Sequence, residues 1–225
     1  MIRRDYILRM IEEFMQALSR IRSLKQGQPR DKVIGELDVE FRKLLGEGAR
    51  AVVRLSETEL LARLMRAGPT HALRDKTLML TTLLKETGDA AMAENRIEAG
   101  REFHLKALHL LLETLARGDV FECPEFVPKV GLLVLDLQGT SLPTRTHAML
   151  MQHYERTSEF AKAEDALFAM FDAEPENNSI VEFGITFYQR LLSQSDAALN
   201  AANLPRAEVE EGLKKLHARR QRSVN

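Results

Sequence analysis

Apolar residues recur along most of this chain at steps of three and four, and no segment alternates with a two-residue period. That pattern belongs to amphipathic helices and not to half-buried strands. The first stretch, DYILRMIEEFMQALSRIRSL, places Ile7, Ile11, Phe14, Leu18 and Ile21 in one stripe, with Arg9, Glu12, Glu13, Arg20 and Arg22 mostly off it. KQGQPR interrupts it around Pro29. DKVIGELDVEFRKLLG then carries Val33, Ile34, Leu37, Phe41, Leu44 and Leu45 to a stop at Gly46. Two helices joined by so short a turn are expected to pack as an antiparallel hairpin.

Ser56 and Glu59 in SETELLARL have capping-box spacing and predict a helix start. A helical pattern from Ala72 to Lys85 meets Gly88 and Asp89, which read as an interruption, and AENRIEAGREFHLKALHLLLETLARG predicts a long helix ended by Gly118. PEFVPKVGLLVLDLQG is apolar enough for a buried strand, but a lone strand has no partner, so it reads as a helix with Pro124 in its first turn. HYERTSEFAKAEDALFAMFDAEP, residues 153–175, predicts two short helices across a tight turn, and Pro175 stops the second. NNSIVEFGITFYQRLLSQ and LPRAEVEEGLKKL add two more, before a basic end that reads as frayed, HARRQRSVN. The expectation is an all-α fold of about nine to ten helices, a helical hairpin array. It is drawn as one domain with segments 1–48, 56–137, 142–176 and 177–225.

One segment has the character of a repeat. A tetratricopeptide unit is a helical hairpin of 34 residues whose large and small positions are spaced by packing. With Pro175 as the closing proline, the chain resembles such a unit at Leu150, Tyr154, Ala163 and Pro175. It departs at His147, Met151, Leu167 and Met170, where that family prefers Trp, Gly, an aromatic and Ala. The resemblance implies a tetratricopeptide-like α-solenoid with Tyr154 between its helices and a first helix that lines a concave binding face. Carried onto this unit, the lining candidates are Arg145, Ala148, Gln152, Glu155 and Arg156. Ala148 and Gln152 do not supply the Lys and Asn of the family's carboxylate clamp, which disfavours a peptide C-terminus and leaves a helix or extended peptide as the ligand. Over almost the whole chain, RDYILRMIE, YERTSEFAKAEDALF, GITFYQRLL and LPRAEVEEGL together resemble an uncharacterised bacterial all-helical family, a domain of unknown function. That second resemblance implies fold and source but no activity.

Composition narrows the compartment and the chemistry. A chain of 225 residues buries a sufficient core without disulfides or metal. The single cysteine, Cys123, permits no internal disulfide and points to the reducing cytoplasm. With no base or cation beside it, Cys123 reads as a small half-buried hydrophobe. No apolar run reaches membrane-spanning length, and Arg9, Glu12 and Glu13 break any signal-peptide core. Basic and acidic residues balance at 32 and 33, so no overall field favours nucleic acid or anionic lipid.

Chemical motifs are scarce. His104 and His109 stand about 140° apart around a helix and His147 and His153 about 120°, so neither pair converges on a metal unaided. His109 and Glu113 share a face, a spacing that suits a salt link. GEGARA at 46–51 lacks the lysine and hydroxyl of a P-loop, and LQGTSLP lacks the second glycine of a nucleophile elbow. No catalytic residue, metal ligand or cofactor is assigned.

Two features concern partners. Glu159, Glu164, Asp165, Asp172, Glu174, Glu176 and Glu182 face only Lys162 in their segment, whereas Lys214, Lys215, Arg219, Arg220 and Arg222 form a basic end. Either these are a solvated face and a loose tail, or they meet, within one chain or between chains. RNA binding by the tail is disfavoured because no aromatics are interleaved to stack bases. The stripe from Ile7 to Ile21 either packs on the second helix alone or forms a self-association seam of a homodimer. The functional expectation is a non-catalytic interaction protein that binds a peptide, another protein or itself. The alternative is an enzyme or small-molecule binder with a pocket between hairpins, marked by His104, His109 or His147 beside carboxylates.

Overall fold

A computed structural model describes residues 2–25, 30–66, 72–117 and 123–224. Among the described residues every regular element is a helix, and there are twelve, α1 to α12. Three of them have only six or seven residues, too few to leave a clear period in the sequence. The chain falls into two compact units, Met1–Thr140 and Ser141–Asn225, which divide beside the boundary drawn at 142.

In the first unit α1 (Ile2–Lys25) and α2 (Arg30–Leu45) pack together, and α2 also lies against α5 (Leu73–Ala93). Phe14, Leu18 and Ile21 enter the core with Val33, Leu37, Phe41, Leu44 and Leu45. α2 ends where its periodicity says, because Gly46 takes the left-handed φ of 75° and its N–H closes on the Arg42 carbonyl at 2.9 Å. The short α3 (Ala49–Arg54) follows, then α4 (Glu57–Arg66). The expected capping box starts α4: Ser56 N–H donates to Glu59 Oε2 at 2.8 Å and Glu59 N–H donates to Ser56 Oγ at 3.3 Å.

The axis of this unit is the hairpin of α5 (Leu73–Ala93) and α6 (Ile97–Ala116). Here the expected interruption at Gly88 and Asp89 is corrected, since α5 runs straight through both. A Cβ on Gly88 would stand 2.3 Å from His104 Cδ2, so this glycine admits the neighbouring helix instead of breaking its own. The expected turn at Pro29 and stop at Gly118 lie outside the described residues. α7 (Val130–Asp136) packs on α6 and is shorter than its apolar run suggested. Pro124 lies in the turn ahead of it, and Pro128 drives Val127 away from helical backbone, so the helix begins at Val130. Phe126 and Val127 are buried, with the Phe126 ring edge-on to Phe14 at 5.3 Å.

The second unit holds α8 (Thr144–Arg156), α9 (Phe160–Ala173), α10 (Asn178–Leu192), α11 (Asp196–Ala201) and α12 (Arg206–Val224). α8 pairs with α9, and α12 folds back along α10. The α8–α9 turn is built like the α5–α6 turn. Ser158 and Asn95 both adopt φ near 59°. Glu159 N–H reaches the Tyr154 carbonyl at 2.8 Å, and Arg96 N–H reaches the Ala91 carbonyl at 2.9 Å. These are Schellman closures, which satisfy the last helical carbonyls and reverse the chain in three residues.

Leu150, Ala163, Leu167, Met170, Phe187 and Tyr188 are buried in this unit. Tyr154, expected between helices, is only half-buried, with Lys162 Nζ 5.5 Å from its ring centre. The deeply buried tyrosine is Tyr188, at 1% exposure. The basic end is helical through Val224, not frayed. Arg219 lies 4.6 Å over the Phe171 ring and donates to the Pro175 carbonyl, while Arg220 sits 3.5 Å from Glu182. Acidic face and basic end therefore meet within one chain. No helix among the described residues is long and apolar enough to cross a membrane.

Candidate functional site in the first unit

α5 is buried almost all round, yet it carries Lys76, Thr81, Thr82, Glu86 and Thr87 inside. Thr82 and Thr87 return their hydroxyls to the carbonyls of Leu78 and Leu83, one turn back. Glu86 is 4% exposed and requires a charged partner. The last turn of α1 supplies two: Arg22 Nε at 2.8 Å and the Lys25 ammonium on the other oxygen.

One turn further, Asp89 shares Lys25 and gathers two more groups. Lys85 Nζ lies 2.9 Å from each Asp89 oxygen, Lys25 Nζ lies 3.3 Å from Oδ2, and His104 Nε2 of α6 lies 3.1 Å from Oδ1. Asp136, the last residue of α7, places Oδ2 3.5 Å from the same Lys85 ammonium. Gly88 makes this geometry available, because the His104 ring occupies the space of its absent side chain. His104 is 2% exposed.

The charges here are fixed. Burial alone would raise the Asp89 carboxyl. Hydrogen bonds from His104 and Lys85, with the charges of Lys25 and Lys85, outweigh it and hold that carboxyl well below the usual carboxylate range. Burial likewise works against the Lys85 ammonium, but its bond to Asp89 and the charges of Asp89, Asp136 and Glu86 hold it above the usual lysine range. A carboxylate that stays ionised and a lysine that stays protonated do not exchange protons near neutrality, so this pair is unsuited to acid–base catalysis. What it can do is bind and position charge.

A cleft of about 550 Å³ opens on the cluster, bounded by Lys85, Asp89, Phe126, Pro128 and Lys129 among others. His104 does not line it. The chain matches a family of unknown function, DUF6483, over residues 1–221. It belongs to that family. No curated protein and no solved structure matches it.

The residues singled out from sequence lie elsewhere. Arg145, Gln152 and Arg156 are exposed along α8, with Ala148 and Glu155 half-buried. Both Glu155 oxygens accept from the Arg190 guanidinium of α10, at 2.6 and 2.7 Å. In the N-terminal stripe, Phe14, Leu18 and Ile21 are closed inside the first unit, and Ile7 and Ile11 are half-buried at its edge. His109 meets Glu57 of α4 at 2.6 Å, a partner that helix spacing could not reveal. Burial lowers the His147 and His153 imidazoles and raises the half-buried Cys123 thiol.

Sequence reasoning missed Lys85, Asp89, His104 and Asp136 as a group. Its one available signal was the set of polar residues inside the stripe of α5, beside a glycine that did not end the helix.

Proposed function

We propose that this protein is a non-catalytic scaffold of the bacterial cytoplasm. Its second unit acts as a tetratricopeptide-like pair of hairpins that holds an extended or helical segment of another protein. The observation that carries this reading is the fork from Arg190 to Glu155, which ties α8 to α10. In a tetratricopeptide arrangement those are the first helices of successive units. Tyr188 follows Tyr154 by one repeat length of 34 residues, in agreement with that register. The wall so formed presents Arg145, Gln152 and Arg156 to solvent, with Ala148 and Glu155 at its base. Closure of Phe14, Leu18 and Ile21 within the first unit favours a foreign partner over a second copy through that stripe.

Site-specific photocrosslinking tests the wall. A crosslinking side chain at Gln152 of the full chain is expected to trap one discrete protein in the native cells, and the same group at Lys162 on α9 to trap none. Equal labelling from both positions, or none from Gln152, overturns the reading. A product of twice the chain mass assigns the wall to self-association instead.

A second reading has its own observation. The cleft beside Lys85 and Asp89 supports a binder of a small molecule or ion in the first unit, whatever the second unit does.

A further inference from the structure

We infer that Asp89, His104 and Asp136 form a binding site for a first-row divalent cation, zinc foremost, whose place the Lys85 ammonium holds when no metal is bound. The inference is independent of the recognition wall in the second unit. Three helices contribute one donor each: Asp89 from α5, His104 from α6 and Asp136 from α7. Their donor atoms all lie within 4.8 Å of one another. Tetrahedral metal–donor bonds of about 2.0–2.2 Å hold such atoms roughly 3.3–3.6 Å apart, so the widest pair must close by at most about 1.5 Å on binding. Two carboxylates with one imidazole suit zinc or manganese, whereas a purely oxygen site would suit magnesium or calcium.

A buried carboxylate oxygen at the same place provides the second observation. Among the described residues four buried side-chain polar atoms lack a hydrogen-bond partner, and one of them is Asp136 Oδ2. Buried groups left in this way call for a water or an ion. Asp136 Oδ2 faces the Lys85 ammonium at 3.5 Å, too far for a hydrogen bond, so one lone-pair direction of the site is still open. His104 is 2% exposed and its Nε2 is aimed at Asp89 Oδ1.

Lys85 is the competitor, and its position is informative. A lysine ammonium that touches both Asp89 oxygens and approaches Asp136 marks a position where the two carboxylates hold positive charge. Its side chain also lines the cleft, so the flexible stem has room to swing outward and admit an ion.

Isothermal titration of the full chain with zinc, manganese and magnesium chlorides, each alone in a non-chelating buffer, tests this. Zinc is expected to bind at one site, with magnesium at least tenfold weaker. Lys85→Met should tighten zinc at least tenfold by removal of the competitor, and Asp136→Asn should weaken it at least tenfold while the helical circular dichroism is retained. Nitrogen-15 spectra of the histidines add a readout that folding defects do not imitate: the His104 Nε2 resonance should shift with zinc, and those of His147 and His153 should not. If Lys85→Met does not fold, the wild type and Asp136→Asn decide alone. Zinc affinity that ignores Asp136→Asn, a shift at other histidines only, or no zinc binding at millimolar concentration overturns the inference and leaves the Lys85 and Lys25 ammonium groups as the cations that Asp89 binds.

Discussion

Gly88 shows how much one missing methyl group decides. A glycine inside a helix ordinarily costs about 1 kcal/mol relative to alanine. In α2 that rule applies unmodified, because a Cβ on Gly35 meets nothing within 4 Å. Gly35→Ala is therefore expected to stabilise the protein by about 0.5–1 kcal/mol. At Gly88 the same change drives a carbon to 2.3 Å from His104 Cδ2 and 2.4 Å from Nε2, so the ring must leave and its bond to the Asp89 carboxylate is lost. Overpacking at about 1–3 kcal/mol and a charge-assisted hydrogen bond at about 1.5–3 exceed the helix gain, so Gly88→Ala is expected to destabilise by about 2–3 kcal/mol. Urea unfolding of the two variants checks both signs, and equal shifts would contradict this packing. The same device recurs in the second unit, where a Cβ on Gly212 would stand 2.4 Å from Tyr188 Cζ. There the buried phenol donates to Glu164 at 2.6 Å, and burial followed by that bond pushes its pKa well above the usual tyrosine range.

Between helices the cluster works as a pin. Arg22 and Lys25 hold α1 to α5, His104 holds α6 to α5, and Asp136 through Lys85 holds α7. Because the Asp89 carboxyl is lowered on folding, its contribution is fully present above the ordinary carboxylate value, near pH 4, and is lost as pH falls toward the depressed folded value. Asp89→Asn should cost about 2–3 kcal/mol at pH 7, and the stability of the variant should fall less steeply below about pH 4 than that of the wild type. Thermal melts from pH 7 down to pH 3 measure this, and parallel acid limbs would show that Asp89 is not the coupled group. The helices themselves were legible in the sequence. Their stripes, the capping box at Ser56 and Glu59, and the stop at Gly46 are local signals that local physics obeys. The short α3 and α11 were not legible, since six residues do not complete two turns. The pin was not legible either. Arg22 and Glu86 are 64 positions apart, and His104 and Asp89 are 15 apart on different helices, so no spacing rule along one helix connects them.

Across the whole molecule each unit has its own core and its own hairpin closed by a left-handed residue, Asn95 in one and Ser158 in the other. Ser141, Leu142 and Pro143 lie between two periodic stretches. Periodicity records which face of a helix is buried and not what it is buried against, so by itself it does not divide a helical chain into units. The long closure made by Arg22 and Glu86 also sets an order in time. The α5–α6 hairpin forms from neighbours in the chain, while α1 must return across 64 residues before its charges reach Glu86. Docking of α1 should then follow the rate-limiting step. Glu86→Gln is expected to speed unfolding about thirtyfold, equivalent to roughly 2 kcal/mol, and to leave refolding nearly unchanged. Stopped-flow circular dichroism would reveal a slowed refolding limb if α1 were part of the nucleus. On this ordering the salt links at the end of α1 act as a latch: they do not guide the chain into its fold, but they govern how long the fold lasts.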